Sequence, residues 1–210
     1  MPPLGRVLQA VLAAAFPLLL PARSDAATEA SAAWAAARDA ILTETGYSSS
    51  GPPAFRHFSS SPAAGTIVTL SRAGRTRACQ GSLHPEAVTL DEEAVRLART
   101  VAAGDPRYPA VRSSELPGLT LRVSLVRAIH PVARPDALNP SRDGLWLRGG
   151  EGGEKNAIIL PGEAKTARYM ADEAARRARI RAGDPVEWFR LVLEWHEAPL
   201  APTTSLAGGQ

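Results

Sequence analysis

The chain has 210 residues, of which 45% are hydrophobic and 21% charged, so it can form one domain with a sizeable core. The formal net charge is only +3, and the densest basic cluster, over 176–181, is typical of a solvated helix face, which argues against a nucleic-acid-binding protein. Cys79 is the only cysteine, which excludes an intramolecular disulfide and a metal site built on paired cysteines.

The first 26 residues have the pattern of a secretory signal peptide. Arg6 and the amino terminus carry positive charge, residues 7–20 are mostly apolar, and Ser24 and Ala26 are small residues at the −3 and −1 positions of a cleavage site. The apolar run is short and interrupted by Pro17, which disfavours a membrane span, and no other stretch is long and apolar enough. We therefore expect an exported protein, periplasmic or secreted. An uncleaved amino-terminal membrane anchor is the alternative.

The rest of the chain is predicted to form helices and short strands in an irregular order. The predicted elements are a helix over 27–45, a loop over 46–64, a hairpin of strands 66–70 and 76–83, a helix over 90–103, a Pro-rich loop over 104–118, a strand over 119–125, a Pro-broken loop, a hairpin of strands 144–148 and 156–160, a helix over 164–182, a strand or helix over 188–197 and a disordered tail over 199–210. Because several strands are joined as hairpins, we expect an α+β fold with a mostly antiparallel sheet flanked by helices, in one domain over 27–198.

Several short motifs follow one another in a characteristic order. Arg77-Ala78-Cys79-Gln80-Gly81 lies in the predicted hairpin, and the segments Asp105-Pro106-Arg107-Tyr108-Pro109, Glu115-Leu116-Pro117 and Ile159-Leu160-Pro161 come later. Their order and spacing resemble the AMMECR-one domain family, whose hallmark is Leu-Arg-Gly-Cys-Ile-Gly. The resemblance covers roughly residues 29–198. It implies an antiparallel sheet flanked by helices, arranged in a larger and a smaller lobe.

The same resemblance implies no established activity. Prokaryotic members of this family often travel with a Memo-like protein and a radical-SAM enzyme, which suggests a shared pathway without naming a reaction. Two positions depart from the hallmark, because Ala78 stands where the family has glycine and Gln80 stands where it has isoleucine. A signal peptide is also unusual for the family. The chain is therefore expected to be a divergent member.

The hallmark segment itself suggests a binding surface. If residues 75–81 are extended, Arg75, Arg77, Cys79 and Gly81 share one face of a strand. Two guanidinium groups beside a thiol would favour the thiolate, and they would also suit a carboxylate or phosphate ligand. Glycine at position 81 would let a ligand come close. The alternative is a structural role, with Cys79 as a small buried apolar residue and Arg77 in an ion pair with an acidic residue.

The loop that begins at Asp105 allows two interpretations. Asp105 can cap a bend before Pro106 in a rigid turn, which is the commoner role of Pro-rich segments. Alternatively, Arg107 and Tyr108 can line a ligand pocket beside Arg77. We favour the rigid turn, and we retain Arg107 and Tyr108 as candidate ligand-binding residues.

A catalytic cysteine would also need a base. His84 lies five residues beyond Cys79 and is the best-placed histidine, although a surface-loop histidine is the more common interpretation. No spacing of His, Asp or Glu indicates a metal site, and no cofactor is predicted.

Three functions remain open at this point. The first is a module that binds a small anionic ligand or a protein partner at the Arg77–Cys79 surface. The second is a transferase or hydrolase with Cys79 as nucleophile. The third is a structural accessory protein of an envelope complex. We favour them in that order, because the sequence offers a basic surface but no recognisable set of catalytic residues.

Overall fold

Six antiparallel strands form one curled sheet in the computed structural model, which describes residues 23–47, 64–105 and 107–200, with side chains from Glu29 onward. The strands are β1 (Gly65–Arg72), β2 (Arg75–Ser82), β3 (Thr120–Val132), β4 (Asp143–Gly149), β5 (Lys155–Ile159) and β6 (Val186–Pro199). Their order across the sheet is β2-β1-β3-β6-β4-β5, so β2 and β5 are the two edges. The predicted α+β class and antiparallel sheet are confirmed.

Three helices cover the two ends of this sheet. They are α1 (Arg23–Glu44), α2 (Leu90–Ala103) and α3 (Ala167–Arg177), with short 3-10 helices at Ser113–Gly118 and Pro135–Ala137. Helix α2 begins as predicted, because the Thr89 side chain accepts from the Glu92 backbone amide and the Glu92 carboxylate accepts from the Thr89 amide. No helix within the described ranges is long and apolar enough to cross a membrane.

Alternation along the strands separates three apolar clusters. Val68 and Leu70 point to the side of α1 and α2 and lie in the largest cluster, whereas Ile67 points to the opposite face of the sheet. Leu145 and Leu147 of β4 pack against α3 in a second cluster. The third cluster, around Ile67, lies on the face that carries neither helix layer. It supplies apolar residues to the cavity between the two edge strands.

Two strands are longer than the sequence predicted. β3 continues through Pro131 to Val132, where a Pro-broken loop was expected. This is possible because β1 pairs with β3 only up to Val126, so the missing amide of Pro131 removes no ladder hydrogen bond on that open side. β6 reaches Pro199, and Leu200 is fully buried, so the folded chain extends past the predicted boundary at 198.

The two ends of the chain bear differently on the sequence predictions. Helix α1 begins at Arg23 and so includes the last residues of the predicted signal segment, while residues 1–22 lie outside the described part. Most of the predicted linker, 48–63, and the tail over 201–210 also lie outside it. Export stays a prediction.

Helix α3 is shorter than predicted, because Thr166 caps it at one end and Arg179 has a left-handed backbone (φ 55°) just after its other end.

Candidate functional site

A cavity of about 650 Å³ lies between the two edge strands of the sheet. One wall comes from β2 and the loop after α2, and the other from β5 and the carboxyl-terminal end of α3. The lining residues include Cys79, Gly81, Arg107, Tyr108, Arg176 and Arg179. Its apolar floor belongs to the cluster around Ile67. The predicted residues Cys79, Gly81, Arg107 and Tyr108 therefore meet at one place, whereas Arg75 and Arg77 do not line it.

A β-bulge in β2 separates Arg77 from the cavity. Leu70 pairs with Ala78 and Ser71 pairs with Thr76, so Arg77 is the extra residue in β2. The bulge brings Thr76, rather than Arg77, to the cavity with Cys79 and Gly81. The prediction that Arg75, Arg77, Cys79 and Gly81 share one face is therefore wrong, because it assumed an unbroken strand.

Arg77 has a structural partner instead. Its Nε donates to Glu115 at 2.9 Å and its Nη2 donates to the other carboxylate oxygen at 3.0 Å. Nη2 also donates to the Pro109 carbonyl at 3.1 Å. Both side chains are less than a fifth exposed, and the guanidinium holds the pKa of Glu115 at about 2. This ion pair joins β2 to the 3-10 helix before β3. It is the structural ion pair that the sequence analysis gave as the alternative to ligand binding by Arg77.

The loop after α2 covers part of the β2 edge. The Cys79 amide donates to Asp105 at 3.0 Å, and the Cys79 carbonyl accepts from Arg107 at 3.2 Å. Asp105 also accepts from the Arg107 amide at 2.9 Å and from its guanidinium at 2.6 Å. These bonds lower the pKa of Asp105 to about 2. Asp105 forms the expected turn, and Arg107 and Tyr108 line the cavity, although Arg77 does not line it beside them.

The surroundings of Cys79 raise the pKa of its thiol and so favour the protonated form. Burial raises its pKa, and this effect outweighs the lowering by the hydrogen bond to Thr69 and by the charge of Arg107. The Thr69 Oγ1 lies 3.3 Å from the Cys79 Sγ. The pKa shift is therefore opposite in direction to the one expected, because the guanidinium of Arg77 bonds Glu115 and the partly buried thiol is poorly solvated.

His84 does not lie at the cavity beside Cys79, and Gly81 has a packing role in addition to lining the cavity. His84 is exposed, its backbone bonds to Ser82, and its side chain does not line the cavity with Cys79. At Gly81, an added Cβ would lie 2.8 Å from the Ile67 Cγ1, so the space beside this residue is filled by the neighbouring strand. Glycine is needed at position 81 for packing against β1, whatever binds in the cavity.

The opposite wall carries arginines that the sequence analysis did not assign to the site. Arg176 and Arg177 both bond Glu173, and Arg177 also donates to Glu163 at 2.8 Å. These bonds lower the pKa of Glu173 to about 2. Arg179 follows in its left-handed conformation and is exposed. The cluster was visible in the sequence, but only the curl of the sheet brings it opposite Cys79.

A further arginine lies on the same face of the sheet, near the cavity floor. Arg122 of β3 pairs with Thr69 of β1, and Thr69 pairs in turn with Cys79 of β2, so the three residues form one row across the sheet. Its Nη1 donates to the Pro161 carbonyl at 3.0 Å, and its guanidinium stacks 4.4 Å from the Trp195 ring centroid. Its Nε and Nη2 are buried without a hydrogen-bond partner. Arg122 thereby supports the loop that supplies Leu160 and Glu163 to the cavity.

The described residues contain no group of three or more His, Cys, Asp or Glu side chains arranged to hold a metal ion. The cavity combines guanidinium groups on both walls, the thiol of Cys79 and an apolar floor. Guanidinium groups are suited to bind carboxylate or phosphate oxygens in pairs of hydrogen bonds.

Comparison with known proteins assigns the chain to a family. Residues 31–197 match the family model described as AMMECR1. A protein of Methanothermobacter thermautotrophicus is 30% identical over 132 residues, and the match covers 60% of this chain and 66% of that protein. A protein of Thermotoga maritima is 30% identical over 142 residues, covering 62% of this chain and 76% of that protein.

A solved structure shows the same fold. The crystal structure of the uncharacterized protein PH0010 from Pyrococcus horikoshii superimposes with a TM-score of 0.58 at 21% identity. The match covers 83% of this chain and 94% of that one. Together with the family model, which spans most of the length, these likenesses confirm the resemblance that the hallmark segment indicated: the chain belongs to the AMMECR1 family.

Proposed function

We propose that the cavity between β2 and β5 binds a small anionic ligand that carries a carboxylate or a phosphate. The observation that carries the proposal is that arginines from both sides of one cavity, beside β2 and beside β5, line it. Arg107 comes from the loop after α2, and Arg176, Arg177 and Arg179 come from the end of α3. Two such walls around an apolar floor are typical of a site that orients an anion by its charge and holds its carbon skeleton by burial.

The charges of the lining residues are only partly balanced within the protein. Arg107 is neutralised by Asp105, while Arg176 and Arg177 share the carboxylates of Glu173 and Glu163. Arg179 forms no ion pair with any residue in the described ranges. It is therefore the first candidate to bind an anion, with the largely exposed Arg176 beside it.

The size and the chemistry of the cavity fit a small molecule. Ligand pockets commonly have volumes of about 300–1,000 Å³ and are mostly apolar with a few polar groups. The volume here is about 650 Å³, and Ile67, Ile158 and Leu160 supply apolar lining. This supports a ligand larger than a lone inorganic ion.

The alternative of a cysteine-dependent transferase or hydrolase has less support. The pKa of Cys79 is raised, which opposes nucleophilic attack at neutral pH, and His84 does not line the cavity. A binding role needs neither a thiolate nor a base. We therefore retain the binding module as the proposed function.

The test is calorimetric titration with glutarate and with inorganic phosphate, using dimethyl glutarate as the uncharged control. We expect Arg179→Gln to weaken binding of the anions about tenfold, because a charge-assisted hydrogen bond is lost. Arg168→Gln is the matched control, since Arg168 lies on α3, the helix that ends just before Arg179, is 93% exposed and does not line the cavity.

The comparison with Cys79→Ser separates the two candidate functions. A binding module predicts that this variant binds glutarate as tightly as the unaltered protein. Equal binding by Arg179→Gln and Arg168→Gln, or binding of dimethyl glutarate as tight as that of glutarate, would contradict the proposal.

A further inference from the structure

The outer edge of β2 has backbone groups that are bound by side chains at Cys79 but not at Gly81. Along an antiparallel edge strand, alternate residues direct their amide and carbonyl toward the neighbour or away from it. Cys79 directs both groups away from β1, where Asp105 and Arg107 bind them. Gly81 lies two residues after Cys79 on the same strand, so its amide and carbonyl also point away from β1. Gly81 is exposed, lines the cavity and has no outward hydrogen-bond partner among the described residues.

The opposite edge of the sheet presents backbone groups to the same cavity. The Ile158 carbonyl accepts from Arg177, so it points away from β4. By the same alternation, the outward groups of β5 are those of Asn156 and Ile158, and both residues line the cavity. The cavity is thus bordered by two sheet edges that side chains cover only in part, as well as by arginines.

We infer that this cavity binds a short extended acidic peptide, which pairs through its backbone with Gly81 at the open edge of β2 and directs a carboxylate to the arginines at the end of α3. The inference rests on the proposed anion-binding function and names the class of ligand. Unpaired edge strands are a common place for peptides to add a strand, with backbone hydrogen bonds giving affinity and side-chain pockets giving specificity.

The alternation of an extended peptide matches the chemistry of the walls. Successive residues rise by about 3.3 Å and direct their side chains to opposite faces, so a peptide paired at Gly81 reaches across the cavity within a few residues. One face would meet Ile67 and Leu160, and an acidic side chain would reach Arg176 or Arg179. A compact anion would use the arginines but would leave the Gly81 backbone groups unpaired.

The Asp105–Arg107 pair limits how far such a peptide can extend. It already bonds the amide and carbonyl of Cys79, so pairing can begin at Gly81 but cannot continue to Cys79. This favours a ligand of a few residues over a full additional strand.

The experiment compares blocked hexapeptides with a small anion on the full chain. The probe is acetyl-Ala-Val-Glu-Val-Glu-Ala-amide. There are four comparison ligands: the same peptide with Gln in place of Glu, two versions of the parent peptide N-methylated on alternate residues (one for each register), and glutarate. Calorimetry gives the affinities. Amide hydrogen exchange of Gly81, read by NMR, reports on pairing at the edge.

We expect the acidic peptide to bind about tenfold more tightly than glutarate, because two backbone hydrogen bonds are added. The Gln peptide and one of the two N-methylated peptides should each bind about tenfold more weakly than the parent. Exchange of the Gly81 amide should slow on binding. Arg179→Gln should reduce affinity for the acidic peptide but not for its Gln counterpart, and Arg168→Gln should reduce neither.

The outcomes distinguish this inference from the function on which it rests. If glutarate binds in an Arg179-dependent way but neither N-methylated peptide loses affinity, or Gly81 exchange is unchanged, the peptide inference is wrong and the anion site stands. If neither glutarate nor the acidic peptide binds, both are wrong.

Discussion

The thiol of Cys79 lines the cavity, but its surroundings stabilise the protonated form. Burial is the main cause of its raised pKa. Among the charged side chains, Glu163 and Asp105 raise this pKa and Arg107 lowers it. The sequence drew attention to this residue because two arginines flank it. Neither Arg75 nor Arg77 lines the cavity with it, so sequence proximity overstated the positive charge at the sulfur.

Alkylation of Cys79 should therefore be slow at neutral pH. We expect an apparent pKa above the usual value of about 8.5 when the rate of reaction with iodoacetamide is followed against pH by mass spectrometry. In Thr69→Ala the apparent pKa should rise further, because the hydrogen bond from Thr69 lowers it. An apparent pKa below the reference value would reopen the nucleophile hypothesis.

Gly81 lines the cavity, but the absence of a side chain at this position is explained by packing against β1. Its missing Cβ leaves room for the Ile67 side chain on the neighbouring strand. Ala78, which replaces the glycine of the family hallmark, is fully buried and does not have a positive φ, so alanine fits there. A methyl group is accommodated at position 78, whereas at position 81 it would collide with the Ile67 side chain.

We expect Gly81→Ala to lower the free energy of unfolding by about 1–3 kcal/mol, because the new methyl group overpacks against Ile67. Urea denaturation measures the change. Gly118→Ala is the matched control, since its Cβ would make only an ordinary contact with Arg72 at 3.7 Å. The double variant Ile67→Ala, Gly81→Ala should lose less stability than the sum of the single variants. Strict additivity would show that Ile67 is not the cause.

At the scale of elements, β2 is held in place by its side-chain partners as much as by its ladder with β1. The Arg77–Glu115 pair joins it to the 3-10 helix Ser113–Gly118, and Asp105 joins it to the loop after α2. These contacts follow from the bulge at Arg77, which turns a side chain predicted for the ligand surface toward Glu115.

Glu115→Gln should lower the free energy of unfolding at pH 7 by about 2 kcal/mol, because it leaves the Arg77 guanidinium without its counter-charge. Glu115 has a pKa of about 2 when folded and a reference pKa of about 4.3 when unfolded. Its contribution is therefore full above about pH 4.3 and is lost as the pH falls toward 2.

Urea denaturation at pH 7 and at pH 3 measures this dependence. The difference between the unaltered protein and Glu115→Gln should be smaller at pH 3. The exposed turn residue Glu151 provides the control variant Glu151→Gln, which should change little at either pH. A difference that is the same at both pH values would contradict the charge-based explanation.

At the scale of the whole molecule, the curl of the sheet brings its two edges together, and the chain just after β6 packs with α1 and α2. Leu200 is fully buried in the cluster formed with α1 and α2. Its amide donates to the Leu119 carbonyl, and its own carbonyl accepts from Arg38 of α1, both at 2.9 Å. A residue that the sequence placed in a disordered tail therefore joins α1 to the start of β3.

Leu200→Ala should lower the free energy of unfolding by about 2–5 kcal/mol, because it leaves a cavity in the main apolar cluster. Thermal and urea denaturation measure the change. Val88→Ala serves as the control, since Val88 is 97% exposed and its truncation should have little effect. A change of similar size in both variants would show that Leu200 contributes no more than a surface residue.

The sequence by itself determined most of the secondary structure and the family. The β1–β2 hairpin, the capped start of α2 and the β4–β5 hairpin depend on turn residues, capping side chains and local alternation, which neighbouring residues encode. The hallmark segment indicated the AMMECR1 family, which the family model confirms. The hallmark segment drew attention to Cys79, and the loop that begins at Asp105 drew attention to Arg107 and Tyr108; all three residues line the cavity.

Only the tertiary structure decided what surrounds those residues. The bulge at Arg77 arises from pairing with β1, and the arginines at the end of α3 lie about a hundred residues beyond Cys79 along the chain. They meet because the sheet curls and brings the edge strands β2 and β5 to one cavity. Strand register, sheet curl and the burial of a thiol depend on contacts between distant segments, which local residue patterns do not encode.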